Sequence, residues 1–250
     1  MKSLNQYIQE KLIINQRFDE KLIINKDYHD NKIVVKSFDE LRKIIEDRYD
    51  KLGPGTEQNP IDFNDIDVSN IDSFYSSNRD KGIFQKINFK YIDISDWDVS
   101  NVRTMNYMFA YCKELKSVRD ISYWNVSNVT NMYCMFLDCK FFNQDISKWD
   151  VSKVNNMAYM FYGCASFNQD ISNWYVSNVT DMSFMFNYCA SFNQDLSSWN
   201  VSNVSDMNAM FRGCKSFNKD ISKWNVSKVR NNILMFFDCP IKDEYKPKFK

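Results

Sequence analysis

Six of the seven cysteines, Cys112, Cys139, Cys164, Cys189, Cys214 and Cys239, recur at one step, 27 residues once and 25 residues thereafter. Thiols in such a row could ligate zinc, pair as disulfides, or serve as small buried hydrophobes. A second row, Asp93, Asp120, Asp145, Asp170, Asp195 and Asp220, keeps the same step. Its carboxylates could bind calcium or serve as general acids. The chain holds 1 histidine, His29.

Each of these chemistries needs a setting that the sequence withholds. Zinc sites use CxxC pairs or histidine clusters, and neither occurs. A disulfide framework pairs cysteines from different positions, whereas these occupy one repeat position and have parallel side-chain vectors. Calcium-binding repeats rely on glycine-rich loops, but the chain has only 5 glycines. Aspartates preceded by asparagine, as at Asn143, Asn168, Asn193 and Asn218, are turn formers that accept backbone N–H groups. With a lone histidine in an irregular stretch and no phosphate-binding loop, no catalytic residue, cofactor site or metal site is expected, and the chain is not expected to be an enzyme.

The elements that position these rows follow from the repeat itself. Cys164–Phe186 reads CASFNQDISNWYVSNVTDMSFMF and is rewritten from Cys189 and from Cys214. Trp97, Trp124, Trp149, Trp174, Trp199 and Trp224 keep the same step, and Phe63 to Phe74 form an eroded earlier unit. The spacing from that unit to the next is 31 residues, which places a bulge near 76–86. Within a unit, Met182, Met185, Phe186 and Cys189 fall at helical intervals, predicting a short helix. Ile171, Trp174, Val176 and Val179 step by two or three, predicting short extended segments between corners. A unit cannot close a core alone, so stacking is required. The fold class expected is an α/β repeat solenoid of about seven turns of short strands and short helices.

Lysine plus arginine equal aspartate plus glutamate at 32 each, so no net field would attract nucleic acid or an anionic membrane. No apolar run approaches the length of a membrane span. The start, MKSLNQYIQEKLIIN, lacks the apolar core and cleavage site of a signal peptide, which leads to an expected cytoplasmic or virion-associated location.

Four regions are expected. Residues 1–36 form an arm in which KLIIN occurs at Lys11–Asn15 and Lys21–Asn25, with a weaker echo at Lys32–Lys36. Leu4, Ile8 and Leu12 share one helical face, while the β-branched later copies favour strands. The arm reads either as tied onto the first turn or as a docking peptide for another protein. Residues 37–58 hold a capping helix and connector: Ser37 and Glu40 form a capping box, an apolar stripe follows, and Gly53-Pro54 ends it. Residues 59–240 are the repeats, and 241–250 a polar, charged tail.

On the predicted short helices, Tyr107 and Tyr111 point away from the inward Met105, Met108, Phe109 and Cys112. The same two columns hold Cys134, Tyr159, Phe184 and Ala209, then Asp138, Gly163, Tyr188 and Gly213. Tyr107, Tyr111, Tyr159, Phe184 and Tyr188 are thus a candidate contact ridge, with Cys134 an exposed thiol on it.

The unit C-x-S-F-N-Q-D-[IL]-S-x-W-x-V-S-N-V-x-D-M-x-x-M-F-x-x-C resembles the BspA-type surface-protein repeats and, more closely, the mycoplasma-lipoprotein repeat family of undefined function. The resemblance covers about Ile61 to Cys239. It implies a leucine-rich-repeat-like solenoid and, for exported members, adhesion or recognition of host proteins; the lipoprotein signal of that family is absent here. The function expected is a binding scaffold for a protein or glycan. The alternative is a structural or assembly component, for example of a phage particle, docked through the N-terminal arm.

Overall fold

Backbone hydrogen bonds between successive repeats organise the protein, whose computed structural model describes residues 32–249. The N–H groups of Met105, Tyr107, Phe109 and Tyr111 donate to the carbonyls of Asn131, Tyr133, Met135 and Leu137 in the next repeat. The pattern continues coil after coil, and parallel bridges link Ser73, Thr104, Asn131, Asn156, Asp181, Asp206 and Asn231 in turn. Along this run the ladder is polar, with carbonyls facing the N-terminal end and N–H groups the C-terminal end.

Identical residues one repeat apart fall in register and build the core as columns. Phe84, Phe109, Phe136, Phe161, Phe186, Phe211 and Phe236 stack with centroids 5.2–6.0 Å apart. All but the terminal Phe236 are fully buried, and each buried ring contributes roughly 1.5–3 kcal/mol only when a neighbouring coil covers it. The tryptophans are buried too, and their indole N–H groups donate to a carbonyl one coil back, as Trp149 does to Ile121 at 2.9 Å. This satisfies the one polar atom of an otherwise apolar side chain.

The short helices expected in each repeat are absent: the only α-helix among the described residues is α1, Phe38–Leu52. Met105–Cys112 is instead a run of overlapping turns, with Met108, Ala110 and Cys112 donating to Met105, Tyr107 and Phe109. The reason is hydrogen-bond competition. Alternate N–H groups are committed to the next coil, so they cannot close the i→i−4 bonds of a helix. The α/β description therefore fails for the repeats, which form a coil stack with short strands.

Those strands cluster near the N-terminal end. β1 (Ile33–Val34) pairs in parallel with β3 (Ile66–Asp67), and β2 (Ile61–Asp62) with β6 (Tyr91–Asp93), which also pairs with β7 (Ser117–Val118). β4 (Tyr75–Ser76) and β5 (Lys81–Gly82) form an antiparallel hairpin at the expected bulge. The weak third echo of KLIIN thus adds to the stack as a strand, with Val35 fully buried. His29, both KLIIN copies and the helical face of Leu4, Ile8 and Leu12 lie outside the described residues.

α1 begins at Ser37, whose hydroxyl accepts from Glu40 N–H at 3.2 Å, while the Glu40 carboxylate accepts from Lys36 N–H rather than from Ser37. Leu41, Ile44 and Ile45 are buried against the first coils. Arg42 closes the carbonyl edge. Its guanidinium is buried and donates to the carbonyls of Gly82, Ile83 and Gln85 at 3.2, 2.7 and 3.2 Å. Arg48 forms a bidentate pair with the Asp65 carboxylate at 2.6 Å.

The aspartate row makes corners. Asp145, Asp170, Asp195 and Asp220 each accept the N–H of the serine two residues on at 2.9 Å. At the far end the tail folds back on the last coil: Ile241 is buried and Ile221 N–H donates to Tyr245 C=O. Among the described residues no helix is long and apolar enough to cross a membrane.

Candidate functional site

The two columns that carry the candidate ridge share an unusual backbone. Tyr107, Cys134, Tyr159, Phe184, Ala209 and Leu234 have φ between 51 and 58°. Tyr111, Asp138, Tyr188 and Asp238 have φ of 59–61°, and the glycines Gly163 and Gly213 fall in the same column at 72 and 70°. A turn with φ > 0 at its third residue favours glycine, and a bulky side chain held there costs roughly 1–2 kcal/mol.

The side chains from these columns do not stand freely in solvent. Tyr188 is exposed, but Tyr107, Tyr111, Tyr159 and Phe184 are half-buried. Tyr107, Tyr111 and Tyr159 lie against a second, small apolar cluster built on Ala110, Cys134 and Leu137. Cys134 itself is 2% exposed, and burial pushes its thiol up to about 12. The expectation of an exposed, reactive Cys134 is therefore overturned. The inside–outside assignment had used helical angles, and the alternating turns tuck this position beneath its tyrosine neighbours.

Rings join most of the columns into a strip along the stack. Tyr75 stacks on Tyr107 at 5.8 Å, and Tyr159 on Phe184 at 4.5 Å. Tyr133 stands edge-on between Tyr107 and Tyr159 at 5.3 and 5.9 Å. Tyr162 meets Tyr188 at 6.0 Å, and the Arg212 guanidinium lies between Tyr188 and Phe237, 5.6 and 5.4 Å from their centroids. Tyr111 stands apart, with Lys86 5.7 Å from its ring.

Tyr75, Tyr133, Tyr162, Arg212 and Phe237 were not among the sequence candidates. Gly163 and Gly213, at one repeat position, were the available signal that the backbone there is left-handed rather than helical.

Burial raises the phenol pKa values of Tyr111, Tyr133 and Tyr159. That of Tyr107 is raised by burial first and then by its hydrogen bond with Tyr133. The phenols stay neutral at ordinary pH, so the face offers apolar area, hydroxyl groups and the cations Lys86 and Arg212. The stacked cysteines are masked: each of Cys139, Cys164 and Cys189 donates its thiol to a phenylalanine carbonyl one coil back at 2.9–3.1 Å, and burial holds its pKa well above the usual range. Among the described residues no group of three histidine, cysteine, aspartate or glutamate side chains could hold a metal ion.

The family described as "Mycoplasma protein of unknown function, DUF285" matches residues 77–182 and 146–244, together well over half of the chain. The chain belongs to this family. Its boundaries take in all six left-handed pairs, so the alternating coil lies within the DUF285 unit. Among solved structures, a leucine-rich repeat protein from Eubacterium ventriosum shares 14% identity with a TM-score of 0.39, over 70% of this chain and 55% of that one. The DUF285 chain thus spans little more than half the length of that protein. No curated protein matches it.

Proposed function

We propose that the chain is a non-enzymatic binding scaffold, a leucine-rich-repeat-like solenoid of about seven turns that holds a protein partner against its tyrosine-lined face. The observation that carries this reading is the use of Tyr107, Tyr111, Tyr159, Phe184 and Tyr188 at positions where the backbone favours glycine. Strain of this kind is retained where the side chain has work to do. Repeat scaffolds characteristically bind through one extended face, and tyrosine with arginine is the composition of interface hot spots.

Protein is favoured over glycan by the ring geometry. A sugar stacks on an open aromatic face, and the faces of Tyr107, Tyr159 and Phe184 are used on each other or on Tyr75. They offer edges and hydroxyls instead. Equal numbers of acidic and basic side chains give no general attraction for nucleic acid. This reading also locates the chain in a cytoplasm or on a virion, which fractionation of producing cells checks.

Site-specific crosslinking tests the assignment of the face. A benzoylphenylalanine at position 188 should crosslink a discrete protein that the same group at position 175, on an exposed tyrosine away from the strip, does not. Equal yields from both positions would remove the ridge as the binding face.

A further inference from the structure

The two ends of the stack are finished differently. At the N-terminal end α1 and Arg42 cover the carbonyl edge. At the C-terminal end the tail covers only the half of the last coil around Ile221. Over the other half, the N–H groups of Asn232, Leu234, Phe236 and Asp238 find no acceptor among the described residues. They occupy the positions from which Met207, Ala209, Phe211 and Gly213 donate to the last coil. Ile233, Leu234 and Phe237 beside them are 65, 46 and 57% exposed. An open row of donors flanked by apolar side chains is an edge that a strand can join.

The polarity of the ladder limits what fits. A second copy docked tail to tail would set donors against donors. Docked head to tail, it would present carbonyls already taken by Arg42. The occupant must be an extended segment with free carbonyls and apolar side chains. This chain has shown that it owns one such type: Ile33-Val34-Val35, the weak echo of KLIIN, adds to the opposite end of the stack as a parallel strand.

We propose that the first KLIIN copy, Lys11–Asn15, pairs with the open edge at 232–238. The six bridges of the stack span roughly 29 Å at about 4.8 Å each. The 17 residue steps from Asn15 to Lys32 reach at most about 56 Å, enough to run the length of the stack, whereas the seven steps from Asn25 reach about 23 Å.

Hydrogen exchange on the full-length chain tests this. The amides of Leu234 and Phe236 should be protected, and the double substitution Ile13→Asp with Ile14→Asp should speed their exchange by at least tenfold, leaving Met160 and Met185 unchanged. A parallel mass measurement should find a monomer at every concentration, and concentration-dependent oligomers lost in the variant would overturn the assignment to the chain's own segment. Unprotected amides in the unaltered chain would overturn the proposal. So would protection that survives the double substitution.

Discussion

The ring of Tyr188 lies over Gly213, so close that a Cβ added to the glycine would meet the Tyr188 Cδ1 at 2.5 Å. Two neighbouring coils are thereby fitted large against small, and the left-handed φ of 70° at Gly213 makes the glycine doubly required. Gly213→Ala should cost about 2–4 kcal/mol, combining backbone strain with the ring clash. Adding Tyr188→Ala should recover the steric part and leave about 1 kcal/mol. Denaturant titration of the four species reads the cycle. Strict additivity would mean that the two residues do not touch.

Arg42 is expected to be the most sensitive charged position. Removing its guanidinium strands three buried carbonyls, so Arg42→Met should cost about 3 kcal/mol or more, and Arg42→Lys should restore only part of that. A loss under about 0.5 kcal/mol would show that water serves these acceptors as well.

Thiol labelling gives a sharp ordering. Six cysteines including Cys134 are buried and only Cys239 is partly open. Native protein should take up no more than one equivalent of a small disulfide reagent, at Cys239, with the rest released on unfolding. Rapid labelling of Cys134 would contradict the packing described for the tyrosine strip.

Acid should loosen the corners. Hydrogen bonds from Ser147, Ser172 and Ser197 hold Asp145, Asp170 and Asp195 below the ordinary carboxylate value. A carboxylate depressed in the folded state contributes stability above its unfolded pKa, near 3.9, and that contribution is lost as pH falls through the lower folded value. Thermal unfolding should therefore be flat from about pH 8 to pH 5 and decline below about pH 4. A decline beginning near neutrality would point to other groups.

Register, stacking and core were legible in the chain because identical residues at one step must share one environment. The tryptophan, phenylalanine and cysteine columns could be read directly. The helix at 38–52 was legible from Ser37, its apolar stripe and Gly53. What misled was Met105, Met108, Phe109 and Cys112, whose spacing of three, four and seven is common to a helix and to paired turns of four residues. Over seven residues the two periods differ too little to separate. Only hydrogen bonding to the next coil decides between them, and that is a property of the stack rather than of one unit. The strip was legible in part for the same reason: Tyr107 and Tyr159 follow from repeat position, while Tyr133 joins them only through the turn geometry.

The claim of a tyrosine-lined binding face is tested most directly by affinity. With the partner trapped through position 188 in hand, its dissociation constant is measured for the chain, for Tyr107→Ser/Tyr159→Ser/Tyr188→Ser, and for the control Tyr123→Ser/Tyr175→Ser, whose rings are exposed away from the strip. The account predicts a loss of tenfold or more, about 1.4 kcal/mol, for the triple variant and under about twofold for the control, with both variants folded by circular dichroism. Unchanged affinity in the triple variant, or an equal loss in the control, would contradict it.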